Sequence, residues 1–462
     1  MKFLSCGSSC GFLVVSALIW VVSALDLQTD DFDSIKQDTA LIAKGLLDYY
    51  DGYKKGGVIG MFTWPYYWWE AGGAWGSLIE YSYYMDNDTL VPLIKEALGY
   101  QVGENYNYVP LNQSTTEGND DQGFWGIAVM AAAEKNMSNP KDERKAYLAL
   151  AQAVFNTMQA RWDHNDCHGG LRWQIFQWNS GYDYKNSVSN GCLFNIAARL
   201  ARYTGNDSYA DWAEKVWEWM VGTHLINETQ PGYYFVYDGV TVNDNCSEVV
   251  KLQWSYNQGL FLLGAAVLYN YTQDEVWHER TKKLLAGSVV FFNLTNDIMY
   301  EAACQNGKGG QGAGSCNQDQ RSFKAYFSRF LGLTAIMAPE TSDTIMNWLE
   351  KSAIAAAQSC SGGTDGHTCG INWFLGHWDG VYGLGEQMCA LEVITALRVH
   401  DRPPPYTANN GGSSKGNPGG GYGATNINAT PLNLGSGDKA GAGIITAIIG
   451  MSIVGATVWL LL

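Results

Sequence analysis

Residues 121–125, Asp121-Gln122-Gly123-Phe124-Trp125, are one copy of a short pattern that returns along the chain at the start of apolar segments. A glycine follows small or polar residues and precedes bulky apolar ones. Gly191 and Gly259 continue the series at a constant spacing of 68 residues, and a third step of 68 falls on Phe327, without glycine. Similar starts are Ala71-Gly72-Gly73-Ala74-Trp75, Ser189-Asn190-Gly191-Cys192-Leu193, Asn257-Gln258-Gly259-Leu260-Phe261 and Leu384-Gly385-Glu386. This regular return predicts repeats of one helical unit.

Between about residues 33 and 400, apolar residues recur with helical period in two alternating kinds of segment. Segments with a charged face are predicted as outer helices, at about 33–53, 90–102, 142–161, 208–226, 274–293 and 341–359. Segments rich in glycine, alanine and aromatics are predicted as buried inner helices, at about 71–86, 120–135, 187–204, 255–271, 323–338 and 383–399.

Six such pairs predict an all-α fold, the (α/α)6 barrel of six helical hairpins, because each pair can bury its apolar face only against its neighbours. The inner helices of this barrel would run in one direction, so the loops that enter them would build a single cleft. A helical solenoid is the structural alternative.

The two ends of the chain carry targeting patterns. An apolar run followed by Val22-Ser23-Ala24 predicts a cleaved signal peptide over 1–24. The apolar stretch from Ile444 to the end lacks a basic flank and follows the small residues Gly435-Ser436-Gly437, which predicts a GPI-attachment signal removed with residues 438–462. A single-pass membrane anchor is the alternative. We therefore expect a protein of the secretory pathway, held at the outer face of the plasma membrane and in the cell wall.

Composition sets the remaining boundaries. Pro, Gly, Asn and Ser dominate 403–437, which predicts a flexible stalk after a catalytic domain at 25–402. The net charge of -16 argues against binding to nucleic acid.

Eight cysteines follow the signal peptide, and in an oxidising compartment disulfides are expected. The spacing favours Cys304–Cys316 and Cys360–Cys369, whereas the partners of Cys167, Cys192, Cys246 and Cys389 stay open.

Asp120 and Asp121 are adjacent carboxylates at the start of the second inner helix. Glycosidic cleavage uses two carboxyls, one as acid and the other as nucleophile or base, and neighbouring side chains stay close enough for a retaining mechanism. In the alternative interpretation, Asp120 caps the helix and Asp121 complements its dipole.

Asn119-Asp120-Asp121-Gln122-Gly123-Phe124-Trp125 resembles the signature of glycoside hydrolase family 76. Further matching stretches span about 30–400: Trp68-Trp69-Glu70-Ala71-Gly72, Tyr184-Lys185-Asn186, Ser255-Tyr256-Asn257-Gln258-Gly259 and Phe323-Lys324. With its two targeting ends, the chain resembles the fungal GPI-anchored cell-wall branch, described as mannan endo-1,6-alpha-mannosidases and thought to transfer GPI-linked glycoproteins onto wall glucan. The resemblance implies Asp120 as nucleophile and Asp121 as acid/base.

Residues near the predicted helix starts are candidates for sugar binding through aromatic faces or amide groups: Trp68, Trp69, Trp173, Tyr184, Lys185, Asn186, Tyr256, Asn257, Gln258 and Trp378. Individual aromatic rings could instead belong to the core, and Asn186 and Asn257 could cap their helices. Lys185, Lys324 and Arg329 are candidates for contact with an anionic anchor glycan.

No metal or cofactor is needed for this chemistry. His164-Asn165-Asp166-Cys167-His168 mixes metal-ligand types, but a disulfide cysteine in a polar loop is the favoured interpretation. The functional hypotheses are thus an α-1,6-mannose glycosidase or transglycosidase, with mannan or a GPI core glycan as donor and glucan as a possible acceptor, or an inactive mannan-binding wall protein. A structural adhesin would show long Ser/Thr-rich repeats in place of the helical core.

Overall fold

The computed structural model describes residues 25–113, 115–305, 314–421 and 436–461. All twelve predicted barrel helices are present within these ranges. The outer helices are α1 (Phe32–Leu47), α3 (Val91–Tyr100), α5 (Tyr147–Ala160), α7 (Asp207–Gly222), α9 (Glu275–Gly287) and α11 (Ser342–Ser359). The inner helices are α2 (Trp68–Tyr84), α4 (Asn119–Glu134), α6 (Ser187–Thr204), α8 (Ser255–Thr272), α10 (Phe323–Met337) and α12 (Leu384–Thr395). A last helix, α13, covers Ser436–Leu461.

The inner helices form a closed ring. Each one packs on the next from α2 to α12, and α12 packs back on α2. Each outer helix packs against the outside of this ring. Closure through α12 and α2 confirms the (α/α)6 barrel and excludes the solenoid, in which the first and last repeats do not meet.

The repeated glycine lies where neighbouring inner helices approach most closely. A Cβ atom on Gly123 would come within 2.5 Å of the Cys192 Cβ, and one on Gly259 within 2.8 Å of the Phe330 ring. Real Cβ atoms do not tolerate such contacts, so these crossings need glycine. The motif that marks the repeat therefore reflects helix packing inside the ring.

Short strands accompany the helices on the cleft side. One antiparallel sheet has the order β1-β4-β5, with β1 at Tyr184–Asn186, β4 at Gly239–Thr241 and β5 at Val249–Val250. A two-stranded sheet pairs β2 (Ile226–Gln230) with β3 (Tyr233–Val236). The helical periodicity did not predict these strands. They order the loops that enter α6 and α8.

Residues 403–421 correct the predicted boundary at 402 and the flexible stalk. This segment lies against the barrel: the Tyr406 N–H donates to the Glu134 carbonyl at 2.7 Å, and the Asn156 side chain donates to the Gly420 carbonyl at 2.7 Å. Asn136 further accepts the N–H and hydroxyl of Ser413. Backbone and side-chain partners on α4, α5 and the following loops fix a segment whose composition predicts mobility. The rest of the predicted stalk, 422–435, and the predicted signal peptide lie outside the described residues.

The disulfide predictions are confirmed for Cys304–Cys316 and Cys360–Cys369, and a third bond joins Cys167 to Cys246 across 79 residues. Cys192 and Cys389 are buried free thiols, so the expectation of disulfides throughout the mature chain is wrong for them. Within the described residues, no helix has the length and hydropathy required to cross a membrane.

Candidate active site

An open cleft lies at the end of the barrel where the inner helices begin, and it encloses about 550 Å³. Its wall is formed by the first turns of α2, α4, α6, α8 and α10 and by the loops before them. Aromatic rings, carboxylic acids and a few amides line it. This composition suits a neutral polyhydroxylated ligand, because rings can stack on sugars while acids and amides bind hydroxyls.

Asp120 and Asp121 line this cleft from the first turn of α4. The indole N–H of Trp173 donates to Oδ2 of Asp120 at 3.1 Å, and the backbone N–H of Gly118 donates to Oδ2 of Asp121 at 2.6 Å. A Cβ atom on Gly118 would lie 2.4 Å from Asp120 Oδ1, so this close approach needs glycine.

The same position bounds the separation of the two carboxyls. The Cβ position of residue 118 is 2.4 Å from Asp120 Oδ1 and 3.3 Å from Asp121 Oδ2. These two oxygens can therefore be no farther apart than the sum of the two distances. That limit fits the ~5–5.5 Å of retaining glycosidases and falls below the ~6.5–9.5 Å that inverting enzymes need for a water molecule.

The two carboxyls differ in their affinity for a proton. Burial raises the pKa of Asp120 to about 7, with a smaller rise from the charge of Asp319, against hydrogen bonds that favour the ionised form. The pKa of Asp121 lies well above its ordinary value because of burial and then because of the Asp120 charge. Asp120 therefore loses its proton first, and Asp121 keeps one beside it.

Glu117 is a third carboxyl at this site, and it was missed by the sequence analysis. Its side chain is 1% exposed, and neither carboxyl oxygen has a hydrogen-bond partner. Burial and then the Asp121 charge raise its pKa well above the usual range, while the nearby Arg161 acts in the opposite direction. Arg161 donates from Nε to the Asn119 side chain at 2.7 Å and from Nη2 to the Gln122 side chain. Arg161 thus fixes the turn that carries the carboxyl pair.

Six of the predicted sugar-binding residues line the cleft: Trp68, Trp69, Trp173, Tyr184, Asn186 and Tyr256. Asn186 caps α6 by accepting the Ser189 N–H, as the alternative interpretation proposed. The Tyr256 ring stacks on Phe323 with centroids 3.9 Å apart, so one of its faces is already covered. These residues are placed to meet a sugar, and their contact with it stays a prediction.

The other four predicted contacts, Lys185, Asn257, Gln258 and Trp378, do not line this cleft. Lys185 is fully buried; its ammonium pairs with Asp163 at 3.1 Å and donates to two loop carbonyls. Gln258 binds three backbone groups around β3 and α9, and Asn257 is fully buried. The structure contradicts sugar contacts in the cleft for Lys185, Asn257 and Gln258, because their side chains are buried in the protein interior. Trp378 is partly exposed outside the cleft lining, and its indole N–H donates to the Val381 carbonyl at 2.8 Å.

Two of the basic candidates for an anionic glycan are internal as well. The Lys324 ammonium donates to the Ile371 carbonyl at 2.7 Å and lies over the Trp373 ring. Arg329 pairs with Glu392 inside the barrel. With Lys185 also buried, none of the three predicted cations can reach a ligand in the cleft.

Two acids that the sequence analysis did not single out also line the cleft. Asp238 accepts the hydroxyl of Tyr184 at 2.6 Å and the indole N–H of Trp254 at 2.9 Å. Asp319 accepts the indole N–H of Trp69 at 3.2 Å. Asp319 lies 250 residues from Trp69, and Asp238 lies 54 residues from Tyr184, so no local pattern marks these pairs.

The favoured interpretation of the mixed run at 164–168, a disulfide cysteine in a polar loop, is confirmed. Cys167 is bonded to Cys246, so its sulfur is not a metal ligand. Asp166 pairs with Arg172, and the carbonyl of Cys167 accepts the indole N–H of Trp219. The run therefore forms an ordered loop beside β1.

A closed barrel of six helical hairpins with adjacent carboxyls in its cleft defines a glycosidase-type site. The sequence model of glycosyl hydrolase family 76 matches residues 34–409, and the chain belongs to this family. Mannan endo-1,6-alpha-mannosidase DCW1 of Candida albicans is 64% identical over 455 residues, which cover 98% of this chain and 99% of that protein.

Two solved structures resemble this one. Dfg5 from Chaetomium thermophilum, in complex with glucosamine, has a TM-score of 0.80 at 38% identity and covers 86% of this chain and 98% of its own. An inactive variant of the α-1,6-mannanase GH76A of Salegentibacter, in complex with α-1,6-mannotriose, has a TM-score of 0.62 at 17% identity. The match covers 79% of this chain and 99% of that one. The second likeness supports the fold alone.

Proposed function

We propose that this protein is a retaining glycosidase or transglycosidase that acts on α-1,6-linked mannose. The observation that carries the proposal is the pair Asp120 and Asp121, held in the cleft of a family 76 barrel with different proton affinities. The substrate class is supported by the relatives, which are named mannan endo-1,6-alpha-mannosidases. Neither a metal nor a cofactor enters the reaction.

In the first step the ionised carboxylate of Asp120 attacks the anomeric carbon, while the carboxylic acid of Asp121 gives its proton to the departing glycosidic oxygen. The products are a mannosyl ester on Asp120, an ionised Asp121 and the released sugar. The Trp173 indole N–H holds the Asp120 carboxylate for this attack.

In the second step Asp121 acts as a base. It takes a proton from water or from a sugar hydroxyl, and the resulting oxygen nucleophile displaces Asp120 from the anomeric carbon. Two inversions leave the anomeric configuration unchanged. When water is the acceptor, the result is hydrolysis. When a hydroxyl of cell-wall glucan is the acceptor, the mannosyl donor is transferred to it. In the wall, this donor is proposed to be the GPI core glycan of a glycoprotein.

The test is the incubation of residues 25–421 with α-1,6-mannotetraose, with proton NMR used to identify the anomer formed first. We expect the α-anomer. Asp121→Asn should lower kcat by about 10²–10⁴-fold, the usual range for lost acid–base catalysis. Asp120→Asn removes the nucleophile and should abolish turnover, and both variants should retain the fold. The exposed Asp30→Asn is the matched control.

Other results would refute the proposal. A first-formed β-anomer would exclude a retaining mechanism. Full activity in either cleft variant would exclude a catalytic role for the residue that was replaced. Tight mannotetraose binding without turnover, indifferent to both substitutions, would instead favour the inactive binding protein.

We also propose that the mature protein is GPI-anchored at the outer face of the plasma membrane and in the cell wall. The support is the sequence of the two ends, 1–24 and 438–462. Treatment of membranes from cells that express the full chain with phosphatidylinositol-specific phospholipase C should release the protein. Retention of the protein together with residues 444–462, detected by peptide mass spectrometry, would identify a transmembrane anchor instead.

A further inference from the structure

Arg161 places a positive charge beside the turn that carries Asp120 and Asp121. It lies at the C-terminal end of α5, and its guanidinium donates from Nε to the Asn119 side chain at 2.7 Å and from Nη2 to the Gln122 side chain. These two acceptors flank the carboxyl pair in the sequence. Among the described residues, Arg161 forms no ion pair within 4.0 Å, so no direct carboxylate contact uses its charge.

The two amide oxygens are directed toward Arg161 by the partners of their own NH2 groups. The Asn119 NH2 donates to the Arg172 carbonyl at 2.9 Å, and the Gln122 NH2 donates to the Asn107 carbonyl at 2.6 Å. A neutral donor would satisfy the same oxygens without the cost of taking a charge out of water. The presence of arginine therefore indicates a use for the charge itself.

Three carboxyls lie within range of this charge. After burial, the charges of Asp121, Arg161 and Asp120 act on the pKa of Glu117, whose two carboxyl oxygens are buried without a hydrogen-bond partner. Burial lowers the pKa of Arg161 to about 10, while the nearby Glu117 charge acts in the opposite direction, so the guanidinium is charged at neutral pH. One positive charge therefore serves three acids.

The other ionisable groups around this cluster are engaged elsewhere or stay neutral. Burial raises the pKa of Cys192 and of Tyr256 well above the usual range, so neither carries a charge at neutral pH. The groups held by ion pairs or hydrogen bonds are Asp163, Asp166, Arg172, Lys185, Asp238 and Asp319. Arg161 thus remains available to balance a carboxylate of the pair.

The proposed reaction leaves one negative charge on the carboxyl pair at each stage. Asp120 carries it before the attack, and Asp121 carries it once its proton has passed to the departing oxygen and Asp120 is an ester. We propose that Arg161 is a positioning residue for this reaction, an inference that rests on the proposed function. Its charge balances this one carboxylate in both states, and its two hydrogen bonds fix the turn. Glu117 stays protonated, because a second carboxylate here would have no cation to balance it.

Infrared difference spectra test the charge balance without turnover. The difference between a protein and the same protein with Asp120→Asn, recorded over a pH series, gives the midpoint at which the Asp120 carboxylate forms. Arg161→Met should move this midpoint upward by about one pH unit or more, the usual effect of losing an opposite charge. Arg161→Lys keeps the charge and should leave the midpoint close to the wild-type value. The matched control is Arg144→Met, which removes an exposed arginine paired with Asp142.

Kinetics separate the charge of Arg161 from its geometry. Arg161→Lys loses the planar fork that contacts both amides, so kcat for α-1,6-mannotetraose should fall roughly ten- to hundredfold while the acid limb of kcat/KM stays in place. Arg161→Met should lower kcat at least as much and move the acid limb upward, in step with the infrared midpoint.

A merely structural Arg161 would lower kcat in both variants without moving the Asp120 midpoint, and that result would overturn the inference. The isosteric Glu117→Gln gives a second test that does not depend on the folding of Arg161→Met. Its infrared difference from the wild type at neutral pH should show the loss of a protonated carboxylic acid. Loss of a carboxylate would overturn the inference, because Glu117 would then be the group that Arg161 balances. Absence of turnover in the wild type would refute the proposed function, whereas the two infrared measurements would still decide the charge balance.

Discussion

Replacing Asp120 by Asn should stabilise the protein at neutral pH while it abolishes activity. Burial raises the pKa of this carboxyl from 3.8 to about 7, so the folded state holds its proton more tightly than the unfolded state. The stabilisation from proton uptake is fully present below the unfolded pKa and is lost as pH rises through the folded value. Above that value the native protein must hold an unfavourable buried charge. Asparagine has nearly the same shape without the charge.

The magnitude follows from the shift. A rise from 3.8 to about 7 sets an upper limit of about 4 kcal/mol at 1.36 kcal/mol per unit. Because Asp120 is partly exposed and Asp121 holds the next proton beside it, screening and coupling reduce the effect, and we expect a gain of about 1–3 kcal/mol. For a domain of roughly 400 residues this raises Tm by about 1–4 °C.

Thermal unfolding of Asp120→Asn and wild type between about pH 4 and about pH 8 measures this gain. The difference in Tm should be near zero at the acidic limit, grow with pH and level off above the folded pKa of Asp120. The surface variant Asp30→Asn should follow the wild type throughout. A cleft variant that is less stable than the wild type at neutral pH, or a gain independent of pH, would show that the buried charge is not the destabilising group.

Three further outcomes are expected. The kcat/KM for α-1,6-mannotetraose should rise with pH as Asp120 ionises near its pKa of about 7, and it should fall only where Asp121 loses its proton. An acidic pH optimum, with kcat/KM already decreasing before about pH 6 is reached, would contradict this order. Arg199→Ala should lower the unfolding free energy by about 3–5 kcal/mol, because it leaves a buried carboxylate without its cation; denaturant titration measures the loss, and an unchanged midpoint would contradict it. A chain ending at Arg402 should have a lower Tm than one ending at Gly421, because the docked segment is removed; equal values would show that its hydrogen bonds contribute no net stability.

The fold could be predicted from the sequence because local and global signals agree. Helical periodicity and the spaced glycines mark the same hairpins. Even the glycine spacing had a direct structural meaning, since Gly123 and Gly259 lie at helix crossings. The docked segment 403–421 was hidden because its hydrogen bonds reach residues that precede it by more than two hundred positions. Composition alone does not reveal such partners.

The residues that line the cleft were predicted well where their place depends on position along the chain. They were predicted poorly where it depends on the direction of the side chain. The position of Asp120 and Asp121 in the cleft was predicted because a helix start and adjacent carboxyls are both local features. Lys185 was misassigned because the sequence does not show that its side chain points toward Asp163. Asp238 and Asp319 were missed because loops far apart in sequence bring them to the cleft.

The distribution of buried charge connects the fold to its chemistry. Toward the closed end of the barrel, the buried charges are paired, as in Arg199 with Glu134 at 2.6 Å and Lys135 with Glu80 at 2.7 Å. At the cleft end, Glu117 is buried without a hydrogen-bond partner, close to the charges of Asp120 and Asp121. Unpaired buried acids destabilise a fold, so they persist only where the rest of the structure is stable enough to hold them. The closed ring of inner helices surrounds these acids. In the proposed mechanism, the raised proton affinity at the cleft lets one carboxyl attack while its neighbour still carries a proton.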